Sequence, residues 1–520
     1  MTTTQLVGEV PARYRRQALR WSVADGAGGD SGLQQTEVDV PLDYTDPRGE
    51  SIRIVVGRIP ALDPARRRGT LVALNGGPGG NQGLGRFSPL RYAGTPVHQV
   101  YDLVGFDPRG WGLSAPLLRE LVAAKAPWSS RPADEDFAQI ALDMKATEEG
   151  AARAGGQLRA HITTRNIARD LDLIREALGE EKISYLGYAF GSYLGSVYGS
   201  MFGTRLDRHV FDSCVDPAAI WRAQYTTQAI AIRRNVDAWA AWAGERDGVF
   251  ALGSDAAAVI TTVERVAAAL AVKPVGGVDR TAFDGAVGNG ATHRPLWDQL
   301  AYTVAALRDA NPAGAAAAWL FAAPDGDQPK PGDTHAPGVV EAITCEGDWS
   351  EDLELYFRDM REYRDRYPYG YGVSRVQPWV ATFRADKPRE PLTELRRAHY
   401  APGLIVHAEG NTNLNYPGGR DMAAHLGDRL ITIADDGSNE VFGVRGNAQV
   451  ESLVAAYLVD GVLPEADVVV PGTPRPDIPA GARAERPAAP DAEAVKRYLT
   501  RYRAATDPRS GAADDPSASA

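Results

Sequence analysis

Short apolar runs that end in turn residues alternate with helical patterns over the first 217 residues, and this alternation constrains the fold most. The runs are continuous and brief, as in buried parallel strands, and occupy residues 69–75, 99–106, 182–186 and 209–215. Residues 165–178 have apolar side chains at helical spacing, and Gly179 follows as a C-cap. Such alternation predicts an α/β fold with a mostly parallel sheet and helices on both faces.

The patterns divide the chain into five predicted parts. An N-terminal extension is expected at 1–35, and the first part of the α/β core at 36–217, which opens with a hairpin-like alternation. Residues 218–395 are rich in Ala, Trp and Leu with helical periodicity, which predicts a large helical lid inserted over the sheet. Strand signals return at 396–465, and 466–520 is a Pro/Ala-rich tail whose end is expected to be disordered.

Charge and composition exclude several classes of partner. The net charge of −11 argues against nucleic acid, which requires a basic face. No apolar stretch reaches 18 residues, so no membrane partner is expected. With two cysteines and no apolar leader at the N-terminus, a cytoplasmic location is predicted. No metal-ligand cluster or phosphate loop occurs, so no cofactor is expected, and nothing indicates the oligomeric state.

The segment after the strand at 182–186 has the spacing of a nucleophile elbow. Gly187 and Gly191 lie at the two glycine positions of a Gly-x-Ser-x-Gly motif between a strand and a helix. The glycines allow the tight turn that such an elbow needs. The central residue, however, is Ala189, and a methyl group cannot attack a carbonyl carbon.

Several further motifs occur in order at matching spacing. They are VPLDYTDP (40–47), LNGGPGG (74–80), VGFDPRGWGLSAP (104–116), ARDLDLIREALG (168–179), YLGYAFGSYLGSVYG (185–199), Asp216-Pro217, AITCEGD (342–348) and AAYLVDGVLP (455–464). On these segments the chain resembles the tripeptidyl aminopeptidase and proline iminopeptidase group of α/β hydrolases, over residues 36–465. The resemblance implies the α/β-hydrolase fold with a large helical lid.

The same resemblance implies which positions would carry a catalytic triad. The nucleophile position is Ala189, the acid position is Asn411 in the turn after the strand near Val406, and the base position is Asn439. Since all three side chains lack the function of a triad member, an ordinary serine hydrolase is not expected. Ser192 lies three residues after Ala189 and is interpreted as a packing residue.

The remainder of the site is expected to be retained. Backbone N–H groups of Gly77 and Phe190 would form an oxyanion hole, because backbone donors need no particular side chain. Three further residues are predicted to line the pocket because they lie close in sequence to these loops, namely Asn81, Tyr188 and Glu409. Candidates for moving a proton are the ionisable residues closest in sequence to the triad positions, namely Glu440, Asp436 and His407.

These features lead to one main functional expectation and two alternatives. The main expectation is an enzyme, though not an ordinary serine hydrolase, that performs non-hydrolytic chemistry such as cyclisation, dehydration or epimerisation in small-molecule biosynthesis. One alternative is a non-catalytic protein that binds a peptide or a metabolite. The other is a peptidase or esterase whose nucleophile has moved. In each case the partner is a small-molecule or peptide-like ligand.

Overall fold

A computed structural model of the chain describes residues 10–26, 31–77, 85–323, 330–385, 388 and 390–510. The strands are β1 (Ser22–Val23), β2 (Gln34–Pro41), β3 (Ser51–Ile59), β4 (Gly69–Leu74), β5 (Tyr101–Phe106), β6 (Leu118–Glu120), β7 (Ile183–Tyr188), β8 (Leu206–Asp212), β9 (His335–Pro337), β10 (Leu404–Ala408), β11 (Arg429–Ala434) and β12 (Val468–Pro471). Ten of them form one sheet in the order β1-β2-β3-β5-β4-β7-β8-β10-β11-β12.

The sheet is parallel except at one end. In the order of the sheet, every neighbouring pair from β5 to β12 is parallel. The pairs β1–β2, β2–β3 and β3–β5 are antiparallel. The predicted hairpin at 36–60 is the pair β2–β3, in which Val38 lies opposite Ile54. The mostly parallel α/β-hydrolase sheet is therefore confirmed. The short strand β12 falls in the segment that the sequence analysis treated only as a tail, because three valines gave too weak a pattern.

Helices cover both faces of this sheet and form a further layer. They are α1 (Ala12–Arg15), α2 (Pro96–Val100), α3 (Phe137–Gly155), α4 (Thr164–Ala177), α5 (Phe190–Phe202), α6 (Arg222–Gly244), α7 (Asp247–Phe250), α8 (Ala256–Val272), α9 (Arg280–Thr292), α10 (Trp297–Arg308), α11 (Ala313–Ala322), α12 (Val339–Ile343), α13 (Leu353–Arg366), α14 (Val380–Phe383), α15 (Tyr416–Leu426), α16 (Ala448–Asp460) and α17 (Ala492–Ala504).

Alternate residues of the central strands point to opposite faces and enter two separate cores. On β4, Val72 and Leu74 pack with apolar residues of α4 and α5, whereas Leu71 and Ala73 pack with residues of α2 and α16. This alternation follows from the two-residue period of a strand. Burial of β4 on both faces explains why its sequence is continuously apolar.

The chain between β8 and β10 forms the helical layer, which consists of α6–α14. Helices α6–α11 of this layer have their own apolar core around Trp239 and Trp297, whereas residues of α12 and α14 pack with α4 and α5 against the sheet. Strand β9, which pairs with β6 in a small second sheet, also lies in this segment, where the sequence indicated no strand. In the part of the chain that is described, no helix is both long and apolar enough to cross a bilayer.

The C-terminal segment packs on the rest of the protein up to residue 510. Helix α17 contributes Val495 and Leu499 to the core of the helical layer. Its N-cap Asp491 accepts a hydrogen bond from Ala494 N–H at 2.9 Å. The expected disorder at the very end of the tail concerns residues 511–520, which lie outside the described residues.

Candidate active site

The turn between β7 and α5 has the strained backbone of a nucleophile elbow. Ala189 has φ 48° and ψ −113°, angles that cost a non-glycine residue about 1–3 kcal/mol. A side chain on Gly191 would lie 2.5 Å from the carbonyl oxygen of Leu74, and one on Gly187 would clash with the backbone of Gly191. The two glycines are therefore required by close backbone contact, as the sequence predicted. Helix α5 begins at Phe190.

The loop after β4 approaches this elbow from the side. A Cβ on Gly76 would clash with the side chain of Ala189, so only glycine fits there. Gly77 adopts φ +66°, which favours glycine. Among the described residues, no backbone acceptor is bonded to the N–H of Gly77 or Phe190. The role of these two N–H groups as oxyanion donors stays a prediction. Asn81, also predicted for this pocket, lies outside the described residues.

The side chains of Asn411 and Asn439 meet directly. Asn411 follows β10, and its Nδ2 donates a hydrogen bond of 3.2 Å to Asn439 Oδ1. Its own Oδ1 accepts hydrogen bonds from the backbone N–H groups of Asn413 and Leu414, each at 3.0 Å. The two residues lie 28 positions apart in sequence, and only the adjacency of β10 and β11 brings them together.

A buried carboxylate that the sequence analysis missed holds the loop that carries Asn439. Asp212, the last residue of β8, accepts hydrogen bonds from the N–H groups of Val441 and Phe442 at 2.9 and 2.8 Å. The neighbouring Ser213 accepts one from Glu440 N–H at 2.9 Å. Burial raises the pKa of Asp212 to about 7. The signal in the sequence was a charged residue directly after the apolar pair Val210–Phe211 at the end of β8.

The acid–base candidates are engaged in structural contacts. Asp436 accepts hydrogen bonds from the N–H groups of Ser438 and Thr473, at 2.7 and 2.8 Å. These bonds fix the turn before Asn439. The ring of His407 is buried, accepts Cys214 N–H at Nδ1 and contacts the carbonyl of Leu414 through Nε2. Burial lowers the pKa of His407 to about 4, so the ring is neutral at pH 7.

Glu440 and Glu409 have different surroundings. Glu440 is buried, and its Oε2 lies 3.9 Å from Nη1 of the buried Arg91, with no hydrogen-bond partner in the described residues. Glu409 is exposed and accepts the N–H of Asp435 at 2.8 Å. Tyr188 is buried behind the elbow and bonded to Tyr92 and the carbonyl of Phe442, where burial raises its pKa well above the ordinary value.

Other nucleophilic side chains near the elbow are also occupied. Ser192 Oγ donates to the carbonyl of Ala189 at 2.6 Å, and Val215 N–H donates to it at 3.4 Å, as expected for a packing residue. Burial raises the pKa of the Cys214 thiol to about 12, which removes the thiolate at neutral pH.

The C-terminal helix contacts the same loops. The N–H of Asn439 donates to Tyr502 Oη at 3.3 Å, and Arg445 Nη1 donates to the carbonyl of Tyr502 at 2.7 Å. Arg91 Nη2 donates to the carbonyl of Thr506 at 2.7 Å. Tyr498 and Tyr502 also pack edge-on against His293 at the end of α9. Helix α17 therefore joins the Asn439 loop to the helical layer.

The sheet topology and the strained elbow define an α/β hydrolase. A family model described as "alpha/beta hydrolase fold" matches residues 69–320, and one described as "TAP-like protein" matches residues 376–470. The tripeptidyl aminopeptidase of Streptomyces coelicolor is 33% identical over 494 residues, which cover 89% of this chain and 88% of that protein. The serine protease Hip1 of Mycobacterium tuberculosis is 28% identical over 471 residues, which cover 82% and 85%. This chain belongs to the tripeptidyl aminopeptidase family.

These relatives overturn the main functional expectation. Non-hydrolytic chemistry in small-molecule biosynthesis is wrong, because the similar proteins that span nearly the whole chain are named as peptidases. The error arose from treating a retained pocket frame as a sign of new chemistry. An oxyanion hole next to a strained elbow serves acyl transfer first of all, and nothing in it points to cyclisation, dehydration or epimerisation.

Proposed function

We propose that this protein is a peptide-directed member of the family, which receives a peptide at the elbow but forms no acyl-serine intermediate. We infer that Ala189, Asn411 and Asn439 occupy the nucleophile, acid and base positions. The observation that carries this proposal is the direct hydrogen bond between Asn411 and Asn439 beside a strained elbow that ends in a methyl group. The relatives' names supply the ligand class.

The direction of the Asn411–Asn439 hydrogen bond argues against base catalysis. In a working triad the acid accepts an N–H from the base, and the base then accepts the proton of the nucleophile. Here Asn411 is the donor, and Asn439 Oδ1 is the acceptor. Asn439 consequently presents its Nδ2, a donor, on the side away from Asn411. A side-chain amide also has no titration near neutral pH with which to take up a proton.

Peptide retention fits this arrangement better than peptide cleavage. The strained elbow and the tight glycine contacts support this proposal. Together with the predicted oxyanion donors they would position a peptide carbonyl. Without a nucleophile or a proton acceptor, the bound peptide would leave unchanged.

Peptide hydrolysis by a relocated nucleophile is the second candidate function, because the similar proteins are named as peptidases. It requires a nucleophile other than Ser192 and Cys214, because structural contacts or burial already account for these two side chains. One candidate is the hydroxyl of Thr412, which is partly exposed and directly follows Asn411.

Two measurements on the full chain separate the candidates. The first is intact-mass spectrometry after exposure to a fluorophosphonate probe, and the second is a mass-spectrometric assay of a pooled tripeptidyl substrate library against a heat-inactivated control. We expect no covalent adduct, no cleavage and retention of library peptides. An adduct or cleavage establishes the relocated nucleophile, and absence of both cleavage and retention overturns the proposal that the ligand is a peptide.

A further inference from the structure

We propose that the ligand is held by its C-terminal carboxylate, so that the site binds peptide acids in preference to peptide amides or esters. This inference rests on the proposed function and names the chemical group that the site recognises. The observation that carries it is the Asn411–Asn439 pair, since Asp212 ties the loop of Asn439 to the elbow. The Asp212 carbonyl accepts a hydrogen bond from Ala189 N–H at 3.0 Å, while its carboxylate accepts two from N–H groups of that loop. A peptide acid has the form of the product that a tripeptidyl peptidase releases.

The groups around Ala189 are donors. Phe190 N–H and Gly77 N–H have no backbone acceptor among the described residues. Asn439 Nδ2 likewise has no acceptor there, because only its Oδ1 is engaged, by Asn411. A carboxylate offers two oxygens that only accept, whereas an amide offers one acceptor and one donor. Donors alone therefore match a carboxylate and leave an amide N–H₂ without a partner.

The missing hydroxyl supplies the space for the second oxygen. A serine at position 189 would place its oxygen at the top of the elbow, where a substrate carbonyl carbon is attacked in a serine hydrolase. Ala189 leaves that volume to the ligand. One carboxylate oxygen then lies at the oxyanion N–H groups, and the other lies toward Asn439 Nδ2. In an active relative the same second oxygen would meet the serine hydroxyl.

One further donor adjoins this loop. Asn75 is 3% exposed, and its Nδ2 has no hydrogen-bond partner in the described structure. It directly precedes Gly76 and Gly77, while its Oδ1 accepts a hydrogen bond from Arg91 Nη1 at 3.2 Å. A buried amide donor that is left unbonded costs about 1–3 kcal/mol, which an oxygen-bearing ligand or its bridging water would recover.

The buried carboxylate that adjoins Asn439 in sequence lies close to a cation. Glu440 follows Asn439 directly, but Arg91 Nη1 lies 3.9 Å from its Oε2, so the two charges offset each other. The N–H of Glu440 is bonded to Ser213 Oγ, which holds this residue on the inner side of the loop. Hydrogen-bond donors, namely Gly77 N–H, Phe190 N–H and Asn439 Nδ2, therefore remain the groups proposed to meet the ligand.

Native mass spectrometry of the full chain with two matched peptide pools tests the inference. One pool contains tripeptide acids with free N-termini, and the other contains the same sequences as C-terminal amides. We expect the acids to form complexes at concentrations at least tenfold lower than the amides. Equal binding of the two pools overturns the carboxylate inference but leaves the peptide ligand standing. Binding of neither pool overturns the proposed function as well.

Substitutions at Asn439 sharpen this test. Asn439→Asp replaces the donor by a negative charge, and Asn439→Ala removes the donor without adding charge. Each is expected to lower the preference for acids at least tenfold, while amide binding reports that the site is still folded. Asn447→Asp makes the same chemical change at the N-cap of α16, where either side chain accepts Val450 N–H, and should leave the preference unchanged. An undiminished preference in both Asn439 variants contradicts the inference.

Discussion

The elbow at 186–192 and the loop at 435–443 form two sides of the same site, but different forces hold them. The elbow is fixed by steric contact, since Gly76, Gly187 and Gly191 have no room for a side chain. The loop is fixed by hydrogen bonds from outside it, above all to Asp212. Because those bonds reach the loop's backbone, they do not depend on the side chain at position 439. On the proposed assignment of the triad positions, the backbone frame is therefore kept although the catalytic side chains are absent.

Restoring the three side chains should produce the largest effect. Ala189→Ser combined with Asn411→Asp and Asn439→His should react with a fluorophosphonate probe at least about 100-fold faster than Ala189→Ser alone, because the serine needs a general base. The measurement is the rate of adduct formation by intact-mass spectrometry. Equal rates for the triple and the single variant would show that residue 439 is not the base position.

Crowding the elbow should cost the most stability. Gly191→Ala places a methyl group 2.5 Å from the carbonyl oxygen of Leu74, so we expect a loss of at least about 3 kcal/mol in the free energy of unfolding. Urea denaturation measures it. Gly156→Ala is the comparison, because nothing lies within 4 Å of the new methyl group there, although Gly156 has φ +53° and Gly191 has no positive φ. A loss of about 1–3 kcal/mol from backbone strain alone is expected there.

Removing the carboxylate that holds the loop should have the next largest effect. Asp212→Ala leaves the buried N–H groups of Val441 and Phe442 without their acceptor, and we expect a loss of about 2 kcal/mol at pH 7. The same urea denaturation applies. Hydrogen exchange of these two amides, which should become faster in the variant, separates loosening of the loop from a general effect.

The raised pKa of Asp212 gives a pH dependence of known sign. The folded-state pKa of Asp212, about 7, lies above the unfolded-state value of 3.8, so protonation of this carboxyl stabilises the fold. The stabilisation is complete below pH 3.8 and is lost as the pH rises toward 7. Asp212→Asn keeps an oxygen for the loop and cannot ionise. Between pH 5 and 7.5 its stability relative to the native protein should therefore rise, by roughly 2 kcal/mol. A constant difference over this range contradicts the assigned pKa.

The contact from the C-terminal helix should matter least. Tyr502→Phe removes the hydroxyl that accepts Asn439 N–H but keeps the ring against Arg445. We expect a loss of about 1 kcal/mol. Tyr498→Phe, on the same face of α17, is the matched control. A loss above 2 kcal/mol would mean that the helix, rather than Asp212, is the main support of the loop.

The sequence predicted the frame of the site better than its supporting contacts. Gly187, Ala189 and Gly191 could be placed because a strand, a tight turn and a helix follow each other locally. Asp212 could not be recognised as the support of a loop more than 200 residues away. Nor could the sequence tell that both ring nitrogens of His407 already have partners, which depends on Cys214 and Leu414 lying on either side of it.

The proton-transfer candidates show the same limit. Glu440, Asp436 and His407 were chosen for their distance in sequence from the triad positions. In the structure Asp436 closes a turn, His407 is buried, and Glu440 lies against Arg91. Proximity in sequence does not determine which way a side chain points, because the backbone of a tight loop turns successive residues to opposite sides. Their roles in proton transfer stay predictions.

The sequence alone determined the parallel sheet, the glycines of the elbow and the presence of Ala189 between them, because these features depend on residue type and on contacts between close neighbours in the chain. Only the tertiary structure decided that Asn411 donates to Asn439, that Asp212 carries the opposite loop and that α17 joins this loop to the helical layer. Those contacts join residues far apart in the chain, and hydrogen-bond direction is set by all the partners that surround an amide at once.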